Sequence, residues 1–167
     1  MRRSPSVRCT APRLAVRPGF TLIEVLIVLV IGAIVAGYAA PRISEAFATR
    51  AVVDGRDAII WFSARARATA LQTGTVTSLE IDPALDYILI RLQDADSTLV
   101  DSRDLAEENK VDISTGSGTT IVVCYSPRGW AVTGGCTSGV PGTVTIVRDA
   151  QTSSVEVQAL GQVERVS

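Results

Sequence analysis

The stretch "RPGFTLIEVLIVLVIGAIVAGYAAPR", residues 17–42, decides how the chain is organised. From Phe20 to Ala40 it runs 21 residues with a single charge, Glu24. At 1.5 Å per residue a helix of that length spans about 30 Å, the hydrocarbon thickness of a bilayer. An ionised Glu at a lipid-facing position costs about 2.5–3.5 kcal/mol on insertion scales. A carboxylate so placed needs a partner.

The flanks are asymmetric. Arg2, Arg3, Arg8, Arg13 and Arg17 all precede the apolar run, and no acid does. By the positive-inside rule they place the N-terminus in the cytoplasm, so that everything after Ala40 lies outside. Without residues 1–19 the chain falls from 16 basic and 17 acidic residues to 11 and 17, a net charge near −6. Such a surface disfavours generic nucleic-acid binding. Cys9 lies in the basic segment, while Cys124 and Cys136 lie in the exported part, twelve residues apart. In an oxidising compartment that pair could form a disulfide; the alternative is a reduced pair, since reach depends on the intervening loop. There is no histidine, which excludes imidazole catalysis and His-ligated metals.

A secretory signal peptide places its apolar region before the cleavage site and loses it. Here the best processing site, Gly19-Phe20, comes before the apolar region, which is therefore retained. The run Gly19-Phe20-Thr21-Leu22-Ile23-Glu24 behind a basic leader resembles the prepilin recognition motif of type IV pilins and type II secretion pseudopilins. The resemblance implies that a membrane aspartyl peptidase cuts after Gly19 and methylates the new amine of Phe20. Glu24 follows Phe20 by four residues, so both groups lie near one helix face. In a filament of such subunits Glu24 can pair with the amine of a neighbouring chain. Opposite unit charges about 4 Å apart attract by about 4 kcal/mol at an effective dielectric near 20, which offsets the desolvation cost. The plainer alternative is a signal anchor whose Glu24 snorkels to the headgroups.

Pro41 removes a helix hydrogen bond and predicts a kink, with Gly32 and Gly37 adding local weakness. Beyond it Ile43, Phe47, Ala51, Ala58, Phe62, Ala66 and Ala70 recur at steps of four or seven, an amphipathic helix that packs through its Phe47/Phe62 face. Helix is expected to about Gln72, with Gly74 as its stop. From Thr75 the pattern becomes short, alternating and rich in Val, Ile and Thr. It predicts strands at 75–82, 87–93, 97–101, 111–114, 119–126, 129–133, 143–148, 154–159 and 162–166, with 105–110 a helical turn or loop. The fold class is α+β: a long N-terminal helix, transmembrane then amphipathic, packed on antiparallel sheet. The expected organisation is a removed leader at 1–19, a transmembrane helix at 20–40, an amphipathic helix at 41–73 and a β-rich domain at 74–167.

This second half resembles the GspH/FimT family, the H-type minor pseudopilins of type II secretion and related minor pilins. Three stretches carry the resemblance: the helix end Ser63–Ala70 leading into "TVTSLEID", the run "IVVCYSPRGWAVTGG", and the ending "TVTIVRDAQTSSVEVQALGQVERVS". It implies a minor pseudopilin at the tip of a periplasmic filament that drives protein export. The alternative it implies is a type IV minor pilin that primes pilus assembly for motility or adhesion. The partners are other pilins or pseudopilins, the prepilin peptidase/methyltransferase, an assembly platform and the membrane. The location is the inner membrane, single-pass, with the domain in the periplasm. A third reading is a free-standing membrane-anchored binding module. Some FimT-like pilins bind DNA through a terminal Gly-Arg-x-Arg; here Gly161-Gln162-Val163-Glu164 stands in its place, with Arg165 one position late. Glu164 opposes phosphate contacts, so DNA uptake is disfavoured.

Catalytic and metal chemistries find little footing, and no cofactor is expected. Asp94, Asp96 and Asp101 lack calcium-loop spacing and read as a solvated loop edge. Without histidine a serine nucleophile would have to use Lys110, the only lysine. The glycine clusters at 116–118 and 134–135 do not open a helix after a strand in phosphate-binding fashion. The arginines of the helix read as a solvated face, and Trp61 and Trp130 as packing residues.

Overall fold

The computed structural model describes residues 19–132 and 136–166. The leader and the glycines at 134–135 lie outside them. The chain divides into two compact units at Ala40/Pro41. Helix α1 is assigned over Leu22–Thr73, with Pro41 inside it. In the first unit every large apolar side chain from Leu22 to Tyr38 is exposed, and this stretch is long and apolar enough to cross a membrane.

In the second unit α1 runs from Pro41 to Thr73, and Gly74 stops it at φ +68° while its N–H still donates to the Ala70 carbonyl (3.1 Å). That left-handed residue is where a side chain would be strained. Eight strands follow: β1 (Thr77–Asp82), β2 (Tyr87–Leu92), β3 (Leu99–Asp104), β4 (Asp112–Thr115), β5 (Ile121–Tyr125), β6 (Gly142–Arg148), β7 (Gln151–Val157) and β8 (Val163–Val166). A one-turn helix α2 (Leu105–Glu108) sits between β3 and β4, capped by the Asp104 carboxylate on the Glu107 N–H (2.8 Å). The strands form two antiparallel sheets, ordered β3-β2-β1-β5 and β4-β6-β7-β8.

Register puts like with like. Leu79 lies opposite Ile90 and Val123, and Ile81 opposite Ile88 and Ile121. In the second sheet Ile113 faces Ile146 and Val144 faces Val155. The inward residues of both sheets join Ala51, Val52, Ala58, Ile59, Phe62, Ala66 and Ala70 of α1 in one core. The helix presents mostly small side chains to that core, so the sheets approach closely. A Cβ on Gly55 would lie 3.2 Å from Ile146 Cγ2 and 3.3 Å from Val111 Cγ2.

Three sequence expectations are corrected. Ile43 and Phe47 are exposed, because the covered stripe of α1 begins at Ala48, where the sheets first reach it. The segment 129–133 forms no strand among its described residues; Ala131 makes only an isolated bridge to Tyr125 after the tight turn at Ser126–Trp130. The third strand begins at Leu99 rather than at 97. Asp94 accepts from the Thr98 N–H (3.0 Å) and hydroxyl (3.1 Å), holding that segment in a turn.

Gly55→Leu is expected to lower domain stability by about 1–3 kcal/mol through overpacking against Ile146 and Val111. Urea unfolding of the full chain in detergent micelles would show a lower midpoint; an unchanged midpoint would mean the helix and second sheet are not in contact here.

Candidate functional site

The first unit begins with a cap. Thr21 precedes α1, and its Oγ accepts the Glu24 N–H at 3.3 Å while its carbonyl accepts the same N–H at 3.1 Å. Thr-x-x-Glu is the sequence signature of a helix start, and an acid in the first turn complements the helix dipole. The cap places Glu24 one turn into the helix. Phe20, Glu24, Val25, Val28 and Leu29 line one open groove of about 300 Å³. Phe20 and Glu24 therefore share a face, and apart from that carboxylate the groove is apolar.

In the second unit the sequence candidates are dispersed. Asp94 serves its own turn, and its hydrogen bonds from Thr98 hold the carboxyl below the usual range. Asp101 pairs with Arg65 at 2.8 Å, across from α1. Among the described residues no group of three carboxylates or thiols converges as a metal site. Arg50, Arg65 and Arg67 are exposed as expected, and Arg65 also lies over the Trp61 ring at 5.0 Å. Trp61 and Trp130, read from the sequence as packing residues, are both largely exposed. Trp61 sits on the solvent side of α1 with only its edge on Phe62, and Trp130 leaves the domain on a tight turn.

Cys124 and Cys136 are joined as a disulfide with Cα atoms 6.1 Å apart. Inside the span they close, the Val132 N–H donates to the Cys124 carbonyl at 2.7 Å. Next to it Tyr125 is buried, and its hydroxyl donates to the Gly161 carbonyl at 2.9 Å. Gly161 has φ +73°, and a Cβ there would fall 2.8 Å from the Tyr125 ring and 2.9 Å from Ala131 Cβ. That contact delivers the chain into β8, where Arg165 turns to Asp57 (3.5 Å). Gln162 and Glu164 are exposed and line a groove beside Arg67, while Val163 between them packs against the core.

One structural residue escaped sequence reading. Asp86, at φ +53° in the β1–β2 turn, accepts the Leu105 N–H on its carbonyl (2.9 Å) and the Ile113 N–H on its carboxylate. It ties the first sheet to α2 and to β4 of the second. Its turn was legible, but its partner 27 residues away was not.

Burial pushes the Tyr125 phenol up to about 12, with the Arg67 charge opposing. The folded value lies above the unfolded one near 10, so the stabilisation is whole below pH 10 and is lost as pH rises from about 10 to about 12. Tyr125→Phe should remove this alkaline slope, about 1.4 kcal/mol per pH unit, and cost about 1 kcal/mol at neutral pH. Urea midpoints across pH 8–11 measure both; equal slopes in the two proteins would contradict the buried phenol.

Comparison with known proteins places these features. Residues 16–40 match the family model described as the prokaryotic N-terminal methylation motif. No curated protein sequence matches the chain. Among solved structures the chain is similar to the type IV minor pilin FimU of Pseudomonas aeruginosa, at 11% identity and TM-score 0.52, covering 70% of this chain and 88% of that one. It is also similar to the minor pseudopilin EpsH of the Vibrio cholerae Type 2 Secretion System, at 13% identity and TM-score 0.50, covering 70% and 96%. At such identity the likeness is one of fold. The chain thus carries a prokaryotic N-terminal methylation motif and shares its fold with a minor pilin and a minor pseudopilin.

Proposed function

We propose that this chain is a structural subunit of a membrane-derived filament, a minor pseudopilin of a type II secretion system of GspH/FimT type, and not an enzyme. The observation that carries the filament reading is Glu24 on the same groove as Phe20, one helical turn into an apolar stretch with no other charge as far as Ala40. After cleavage between Gly19 and Phe20 and methylation of the Phe20 amine, the helix holds the subunit in the inner membrane with its domain in the periplasm. On assembly Glu24 meets the amine of an adjacent subunit, and the exposed apolar side chains of residues 22–38 pass from lipid to neighbouring helices. Pro41 lets the helix bend where it leaves the bilayer. The Cys124–Cys136 bridge forms in the oxidising periplasm. The peptidase/methyltransferase and an inner-membrane assembly platform are the transient partners, with other pseudopilins the permanent ones.

The second reading is a type IV minor pilin that primes a surface pilus, and the likeness to FimU supports it. Both readings use the same N-terminal chemistry, so their difference is physiological. In a strain deleted for this gene, enzymes held in the periplasm while pili remain normal are expected for the pseudopilin. Intact secretion with loss of pili or twitching would establish the minor pilin instead.

Processing has its own test. Gly19→Leu should leave the leader attached, seen by mass spectrometry of the membrane-extracted protein, because a bulky side chain blocks the cut. Glu24→Ala should be processed and inserted yet fail to enter filaments. Normal cleavage of the first or normal assembly of the second would overturn the site assignment.

A further inference from the structure

One end of the second unit carries a combination that the fold does not use. The turn Ser126-Pro127-Arg128-Gly129 is closed by the Gly129 N–H on the Ser126 carbonyl (2.8 Å), and the Ser126 N–H returns to the Trp130 carbonyl (2.8 Å). The Ser126 hydroxyl donates to the same carbonyl at 3.0 Å. This ordered turn presents Trp130 70% exposed. Gly129, just before it, is buried on the end of α1: a Cβ there would lie 3.3 Å from Arg67 Nε and 3.3 Å from Leu71 Cδ2. Ala131, just after it, abuts Gly161. Trp130 therefore follows a residue packed on Leu71 of α1, itself 53% exposed, and precedes one packed on Gly161, whose chain neighbour Leu160 is 69% exposed. Arg67 and Arg128 are exposed on the same turn and helix end, and neither has an ion-pair partner among the described residues.

Tryptophan and arginine dominate interface hot spots, above all where the free protein already holds them in place. An exposed aromatic side chain, with two exposed leucines and two guanidinium groups free of ion pairs on the segments packed around its turn, is complementary to an apolar pocket rimmed with carboxylates. A nucleic acid is the other polymer such groups can hold, through stacking and phosphate contacts. The processed chain, with 11 basic and 17 acidic residues, would repel it, and Glu164 lines the groove beside Arg67. We infer that the surface built by Trp130, Leu71, Leu160, Arg67 and Arg128 docks the folded domain of a different filament subunit that presents carboxylates around an apolar pocket. The inference rests on the filament reading and adds to it the surface by which the domain selects its neighbour.

The test places a photo-crosslinking amino acid at Leu160 in the full chain, expressed in its own cells, with Leu85 in the β1–β2 turn, equally exposed, as control. A crosslink at 160 and not at 85, to another protein that carries an N-terminal methylation motif, is the expected result. Trp130→Ala and the pair Arg67→Glu, Arg128→Glu should each lower its yield at least about tenfold, while protease resistance shows the domain still folded. No crosslink at 160, or one unaffected by these changes, would overturn the inference. So would a crosslink only to a second copy of this chain. A Trp130-dependent mobility shift of single-stranded DNA by the detergent-solubilised protein would replace the protein partner by nucleic acid. The parent reading fails separately, when Glu24→Ala still assembles. A 160 crosslink to a protein without that motif would then show a docking surface outside any filament and would overturn the partner named here.

Discussion

Both sheets close on one stripe of α1, and the width of that stripe governs the domain. Ala48, Ala51, Gly55, Ala58, Ala66 and Ala70 are buried there, with Val52, Ile59 and Phe62 as the larger members. Small side chains let β-sheet approach a helix closely enough for its own Ile and Val residues to supply the packing volume. The second sheet shows this most clearly, since Ile146 and Val111 sit where a side chain on Gly55 would otherwise be. The helix is thus a spine that two four-stranded sheets share, and the inward residues of both form one core. Asp86 reinforces the arrangement from the far side by tying the first sheet's turn to the start of β4.

The same chain segment obeys a different rule before Pro41. There the large side chains are apolar all round and exposed. A helix of that kind is at rest only in lipid or among other helices. Glu24 is the exception that gives direction: a carboxylate in hydrocarbon is least costly where a positive group meets it. The Thr21 cap matters here, because it starts the helix at a defined residue and so fixes which face the carboxylate occupies.

How much of this was legible depended on the range of the interaction. The N-terminal motif, the stop at Gly74 and the alternation of β1, β2, β5 and β6 are local, and local spacing reveals them. The strand expected at 129–133 failed over its described residues because Trp and Val favour extended backbone in general. Here the Ser126–Trp130 hydrogen bonds impose a tight turn instead. Phe47 lies just before Ala48, where coverage by the sheets begins, and periodicity cannot say where coverage starts. Trp130 reads as core by composition, and only the turn chemistry sends it outward. The calcium-like aspartates separate in the same way, since Asp94 finds Thr98 nearby while Asp101 finds Arg65 36 positions earlier. At the candidate site, Glu24 and Phe20 were readable from a spacing of four; the domain surface was not, because the segments carrying Leu71, Trp130 and Leu160 are brought to one end of the domain only by the tertiary fold.

The contrast between a preserved fold and 11–13% identity to its structural relatives follows from the same physics. A core of alternating Ile, Val and Leu tolerates exchange among apolar residues so long as volume and pattern are kept. What the core does need at particular places is small size at Gly55, a left-handed residue at Gly161 and an apolar ring over it at Tyr125. These are few, so most of the sequence is free to change without loss of the fold. Freedom of that kind falls most heavily on exposed positions, and on the filament reading proposed above it is there that one subunit would differ from another. The apolar helix supplies an attraction that neighbouring helices of the same kind would share. On that reading selectivity would come from the domain, where groups that are costly to leave unpaired in a desolvated contact discriminate more sharply than apolar area does. Arg67 and Arg128 beside Trp130 are such groups, and the core would stand without them.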